Sequence, residues 1–247
     1  MTLLEVTILG LLAGTLGTGI GGILGLILTR VSPVQISSLL GLSAGIMIAI
    51  VTFELMPEAL EDGGLLWGIS GLRLGVLLMT GIDLIFPHQH LLGDEERSPF
   101  LKTGAIMGLG IAMHNLPEGL AIGVGGVQDA YVGIALAFAI FLHNVPEGLA
   151  LALPLKIGQV SAYKILVSTV VVGLPMGLGA FVGGLAGQIS PVANSLVLGL
   201  AAGAMLFITF DELIPQTEKL ARGHSATFGV LAGVIAGIII LAAVPHY

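Results

Sequence analysis

Polar residues interrupt this chain only at intervals. Charges, prolines and short Asn/Asp/Ser clusters divide it into eight apolar stretches, about 3 to 28, 36 to 57, 64 to 86, 102 to 126, 130 to 155, 163 to 187, 192 to 217 and 225 to 244. These stretches reach the roughly twenty residues that a helix needs to cross bilayer hydrocarbon, whereas a membrane barrel shows segments of about ten residues with alternating polarity. The pattern predicts an all-α polytopic membrane protein in which residues 1–247 form one transmembrane domain. Only one connection, about 87 to 101, exceeds a tight turn, and it carries His88, His90, Asp94, Glu95 and Glu96.

Composition excludes the alternatives. Of 247 residues 55% are hydrophobic and 9% charged, where a soluble domain carries about a quarter charged residues. The 38 glycines follow no three-residue period, which excludes a collagen-like chain. Cysteine is absent, so any metal must be held by nitrogen, oxygen or thioether ligands. No GxxxxGK[ST] phosphate loop occurs, no basic patch suggests nucleic acid, and nothing calls for an organic cofactor. Met1 to Glu5 lack the basic start of a signal peptide, so the first stretch reads as a retained span.

Charge placement sets an orientation. With eight spans, Arg30, Arg97, Lys102, Lys156, Lys164, Lys219 and Arg222 fall on one side and only Arg73 on the other, a strong positive-inside bias. Both termini are then outside the cytoplasm. Glu58, Glu61, Asp62 and Asp129 share that outer side and make its mouth acidic.

The chain repeats itself. Leu40 to Glu58, LGLSAGIMIAIVTFELMPE, aligns without a gap with Leu198 to Gln216, LGLAAGAMLFITFDELIPQ, at an offset of 158 and with ten of nineteen positions identical. One copy lies in the second span and the other in the seventh, so they run in opposite directions, as in the inverted repeats of transporters. Between them IAMHNLPEGLA, from Ile111, and IFLHNVPEGLA, from Ile140, lie on the adjacent fourth and fifth spans. The simplest arrangement is 3+2+3 spans about an axis between the fourth and fifth.

That second pair carries the chemistry. A charge at the bilayer centre costs at least about 2.5 kcal/mol, yet His114, Asn115 and Glu118 recur as His143, Asn144 and Glu147 inside apolar sequence. His and Glu at i and i+4 share one helical face. Two neutral imidazoles and two carboxylates carry a charge of −2 and balance one divalent cation, and mixed N/O ligation suits zinc and its first-row neighbours. Two close carboxylates would otherwise need a proton between them. Pro117 and Pro146 free the carbonyls of Met113 and Leu142 from the helix ladder, and such carbonyls can meet an ion.

HNLPEGLAIG and HNVPEGLALALP resemble the fourth- and fifth-span signatures of the ZIP (Zrt-, Irt-like protein) family, and the chain's short length is similar to the GufA-like prokaryotic branch. The resemblance covers the whole chain. It implies a divalent metal transporter that favours zinc and can accept Fe2+, Mn2+ or Cd2+, an inward direction, a prokaryotic inner membrane and a homodimer. It places His114, Asn115, Glu118, His143, Asn144 and Glu147 at the transport site, with Met47 adding a thioether. One departure stands out: a sixth-span Glu that helps bridge a second metal in many members corresponds to Met176, within VGLPMGLGA. Without that carboxylate the site suits one ion, and Met176 offers a soft thioether.

Further charged groups extend the path. Glu54 and its repeat partner Glu212 sit at opposite mouths, each three residues before a proline. Asp211 and Asp83 lie near the cytoplasmic ends of their spans, and all four read as inlet and outlet relays, with a solvated helix end as the bland alternative. His88 and His90 are candidates for a loop metal site. Two other classes compete with a transporter by alternating access: an intramembrane metal-dependent hydrolase, which lacks an HExxH motif here, and a membrane metal sensor without flux.

Overall fold

The computed structural model describes residues 1–28, 31–85, 99–221 and 223–243, and every regular element among them is helical. In chain order these are α1 (Leu3–Ile27), α2 (Pro33–Ile50), α3 (Met56–Ile85), α4 (Pro99–Gln128), α5 (Ala130–Ile157), α6 (Ala162–Val171), α7 (Leu174–Ala186), α8 (Pro191–Ile208), α9 (Ile214–Leu220) and α10 (Ser225–Ala242). Six described stretches are long and apolar enough to cross a membrane: Leu3–Ile27, Pro33–Leu84, Ala130–Ile157, Ala162–Ala186, Pro191–Leu220 and Ser225–Ala242. The second is 52 residues long, and at 1.5 Å per residue that is about 78 Å, more than twice the hydrocarbon thickness. It breaks at Gly64, whose φ of 69° and ψ of −177° no helix accommodates and which a side chain would strain. This break falls at the boundary the polar pattern assigns between its second and third stretches.

The repeat reaches into the backbone. Ser32 and Ser190 cap α2 and α8, Pro33 and Pro191 open them, and both helices end in a five-residue π-helical turn, Val51–Leu55 and Thr209–Leu213. Each pair of boundaries differs by the same 158 residues as the sequences do. The cause is Pro57 and Pro215, which cannot donate to the ladder and crowd the carbonyl four residues back. The preceding amides then reach one residue further, Met56 to Val51 and Ile214 to Thr209.

Packing interleaves the chain order. α2 lies along α10 and α3 along α8, while α1 packs on α5 and α7 on α4, with α4 and α5 side by side. The partners of α1 are thus α4 to α7, so the first three predicted spans do not form a bundle of their own. Backbone proximity explains the pairing. A side chain at Gly21 would collide with the α5 backbone at Val145, and one at Gly148 with Thr18 of α1. Lys156, at the end of α5, donates to the carbonyls of Gly25, Leu26 and Leu28 at 3.1, 2.7 and 3.0 Å and so caps α1. The other face of the bundle is apolar and exposed, with Leu4, Leu65, Leu77 and Ile239 turned outward as a lipid-facing surface requires.

Candidate metal site

α4 and α5 run on as helices through Pro117 and Pro146, which keeps each His and the Glu four residues later on one face. The two faces meet. His114 Nε2 lies 2.8 Å from Glu147 Oε2, and His143 Nε2 lies 2.9 Å from Glu118 Oε1, so each imidazole pairs with the other helix's carboxylate. Since an ionised carboxylate only accepts, the Nε2–H of each ring donates, and in a neutral ring Nδ1 then carries the lone pair. All four side chains are buried, as are Asn115 and Asn144.

What stays unpaired defines the chemistry. His114 Nδ1, His143 Nδ1, Glu118 Oε2, Glu147 Oε1 and Asn144 Oδ1 are buried with no hydrogen-bond partner. With both rings neutral, all five are lone-pair atoms, the complement of a cation. Buried polar atoms of this kind are normally satisfied by a partner. As the side chains are placed, no three His, Asp or Glu groups among the described residues converge to hold an ion. Holding an ion here would require the rings or carboxylates to turn out of their cross-helix pairs.

The remaining candidates sort by position. Met47 is buried, and its sulfur accepts from the Thr209 hydroxyl at 3.8 Å, a contact across the two repeat copies. Met176 is also buried, and its carbonyl would obstruct a side chain at Gly10 or Gly119, so the α7 backbone lies close against α1 and α4 there. Glu212 is half-buried with its carboxylate against Gly110, one turn from His114. Asp211 beside it is exposed, and Asp83 is half-buried near the end of α3. His88 and His90 lie outside the described residues.

Glu54 lines a pocket of about 190 Å³ with Glu58, Gln128, Asp129, Leu136 and Leu198. Gln128 donates to Asp62 at 2.8 Å across its rim. Partial burial, with the neighbouring Asp62 and Glu61 charges, pushes the Glu58 carboxyl above its ordinary range. The polar pattern singles out Glu54, Glu58 and Asp129 one by one and gives no sign that they share a pocket. It also missed Ser43, whose hydroxyl donates to the His143 carbonyl at 2.8 Å and ties α2 to the site; a lone serine in an apolar span gives no signal of its own.

A helical bundle with six described stretches of membrane-crossing length, and with buried His and Glu groups paired across α4 and α5, defines a polytopic membrane protein. A family profile described as ZIP zinc transporter matches residues 88–244. The chain is 36% identical to Zinc transporter ZupT of Corynebacterium aurimucosum over 242 residues, covering 91% of each chain. It is 34% identical to Zinc transporter ZupT of Streptococcus mutans, over 92% of this chain and 93% of the relative, and 35% identical to that of Corynebacterium glutamicum, over 92% and 94%. This chain belongs to the ZIP zinc transporter family.

Proposed function

We propose that this protein is a secondary transporter that carries zinc, or a related divalent transition metal ion, across a bacterial inner membrane toward the cytoplasm. The observation that carries the site is the set of five unpartnered lone-pair atoms around the His114–Glu147 and His143–Glu118 pairs. Two carboxylates with neutral imidazoles neutralise one divalent ion, and nitrogen and oxygen donors of this mix suit zinc better than calcium or magnesium. Zinc here is cargo. Membership of a transporter family sets the hydrolase reading aside.

The path crosses eight spans: α1, α2 with its π-helical turn as far as Pro57, α3 from Gly64 on, α4, α5, the α6–α7 pair, the α8–α9 pair and α10. Both termini lie outside. The 3+2+3 inverted arrangement is supported by reciprocal bonds. Ser37 donates to the carbonyl of Thr217 and Ser195 to that of Ala59, and each partner is displaced by the same 158 residues. Two mouths related by the repeat support alternating access. Glu54 and Glu58 gather the ion in the acidic outer pocket, and Glu212 stands one turn beyond His114 toward the cytoplasm.

Reconstitution in liposomes that enclose a zinc-sensitive dye tests this reading. Saturable uptake down an imposed zinc gradient is the expected outcome. Tight zinc binding without any flux would instead mark a sensor.

A further inference from the structure

α2 packs on α5 without the close backbone approach that holds each of them to its main partner. On α2 a side chain at Gly41 or Gly45 would strike the α10 backbone, and on α5 one at Gly148 would strike the α1 backbone at Thr18. Gly133 of α5 faces Gly126 of α4. The close contacts of these glycines thus point away from the α2–α5 seam.

A hydrogen bond nevertheless crosses that seam. Ser43 of α2 is fully buried, and its hydroxyl donates to the His143 carbonyl of α5 at 2.8 Å. The same oxygen lies 3.4 Å from the carbonyl of Leu39, one turn back on its own helix. A hydroxyl has one hydrogen to give, so it serves the shorter contact and keeps the second acceptor in reserve. The acceptor is also provided for, since a helical carbonyl at 143 faces the amide of residue 147 in α5. Both ends can therefore part without stranding a buried polar group, which is what makes the loss of most buried bonds costly. The repeat puts Ala201 at the equivalent position of α8, buried and with no hydrogen to donate. The bond belongs to one copy of the repeat.

Resting on the alternating access proposed above, we infer that Ser43 is a positioning residue that latches α5 to α2. Its hydroxyl holds the His143 backbone in the arrangement described here and passes to the Leu39 carbonyl when α5 shifts along α2. The bond is made to the main chain and not to the imidazole, so its loss leaves the side chains of the site in place. Ser43 then governs how fast the loaded protein crosses between its two states, and not how tightly it holds the ion.

The test uses the whole protein in liposomes with zinc as the probe. With saturating zinc on both sides, isotope exchange reads the crossing of the loaded protein alone. A hydrogen bond of ordinary net strength corresponds to a factor of about 2 to 10 in rate, so Ser43→Ala should speed exchange by that much. Zinc affinity in detergent should stay at the parent value. Ser43→Cys, whose thiol is a weak donor, should exchange at a rate between the two, and it gives the answer by itself if the alanine variant does not fold. Loss of packing slows transport and weakens binding together, so faster exchange at unchanged affinity separates a latch from a merely structural residue. Exchange at or below the parent rate in a folded variant would overturn the inference. Weaker zinc binding without faster exchange would do so too, by making Ser43 a support of the site. If the parent itself exchanges no zinc, the transport reading falls and the latch with it; if the parent exchanges zinc and Ser43→Ala is no faster, only the latch falls.

Discussion

Ser37 and Ser195, 158 residues apart in the chain, are both fully buried, and each donates its hydroxyl to a backbone carbonyl of the other repeat copy, Thr217 at 2.9 Å and Ala59 at 2.6 Å. Thr217 lies in the last turn of α9, and Ala59 lies just before the Gly64 break. The serines thus bond carbonyls close to helix ends, where the ladder gives out.

Loss of either hydroxyl leaves a buried carbonyl short of a partner, at about 1–3 kcal/mol. Ser37→Ala and Ser195→Ala should lower the thermal unfolding midpoint in detergent by comparable amounts. A large effect from one and none from the other would break the equivalence of the two copies.

The α1–α5 contact is set by backbone proximity. Gly148→Ala inserts a methyl group against the Thr18 backbone, and overpacking of this kind costs about 1–3 kcal/mol. Gly81→Ala, at a position with open space around the added carbon, is the control and should leave the unfolding midpoint near that of the parent. Equal effects would deny the close approach of α1 and α5.

Charge balance limits occupancy. Four ionisable groups with a net charge of −2 neutralise one divalent ion, and Met176 supplies no carboxylate for a second. Elemental analysis of the purified protein after removal of loosely held metal should give one zinc per chain. Two tightly held ions would contradict this.

External pH acts on the outer pocket. Glu58 titrates above the ordinary carboxylate range, so as the outside is acidified it becomes neutral earlier than a free glutamate would. The pocket then attracts cations less, and apparent zinc affinity for uptake should fall over that higher range. Glu58→Gln should weaken uptake at neutral pH and remove this part of the pH dependence; an unchanged profile would exclude Glu58 from the path.

Much of this was legible in the sequence because hydrophobic length and internal repetition are direct signals. The apolar stretches foreshadow an all-helical chain, and the Gly64 break falls within a few residues of the boundary marked by Glu58, Glu61 and Asp62. The HNxPEG pair identified the buried His and Glu groups, since i and i+4 spacing fixes a shared face. Spacing within one helix cannot say which residue lies opposite on the next, so the crossing of His114 to Glu147 and of His143 to Glu118 emerged only in three dimensions. The same holds for the packing of α1 with α4 to α7, which joins spans distant in the chain. Asn115 reads as the twin of Asn144, and only the fold shows its Nδ2 donating to the Val172 carbonyl at the end of α6.

The central claim is that the ion passes through the cross-paired His and Glu groups between α4 and α5. Zinc uptake into dye-loaded liposomes, measured for the parent protein and for Glu147→Ala at equal reconstituted amounts, tests it most directly. Removing that carboxylate deletes one of the two negative charges and leaves His114 without its partner, so saturable uptake should be abolished while the variant stays monodisperse and folded. Uptake by Glu147→Ala at the parent rate and affinity would place the path elsewhere in the molecule.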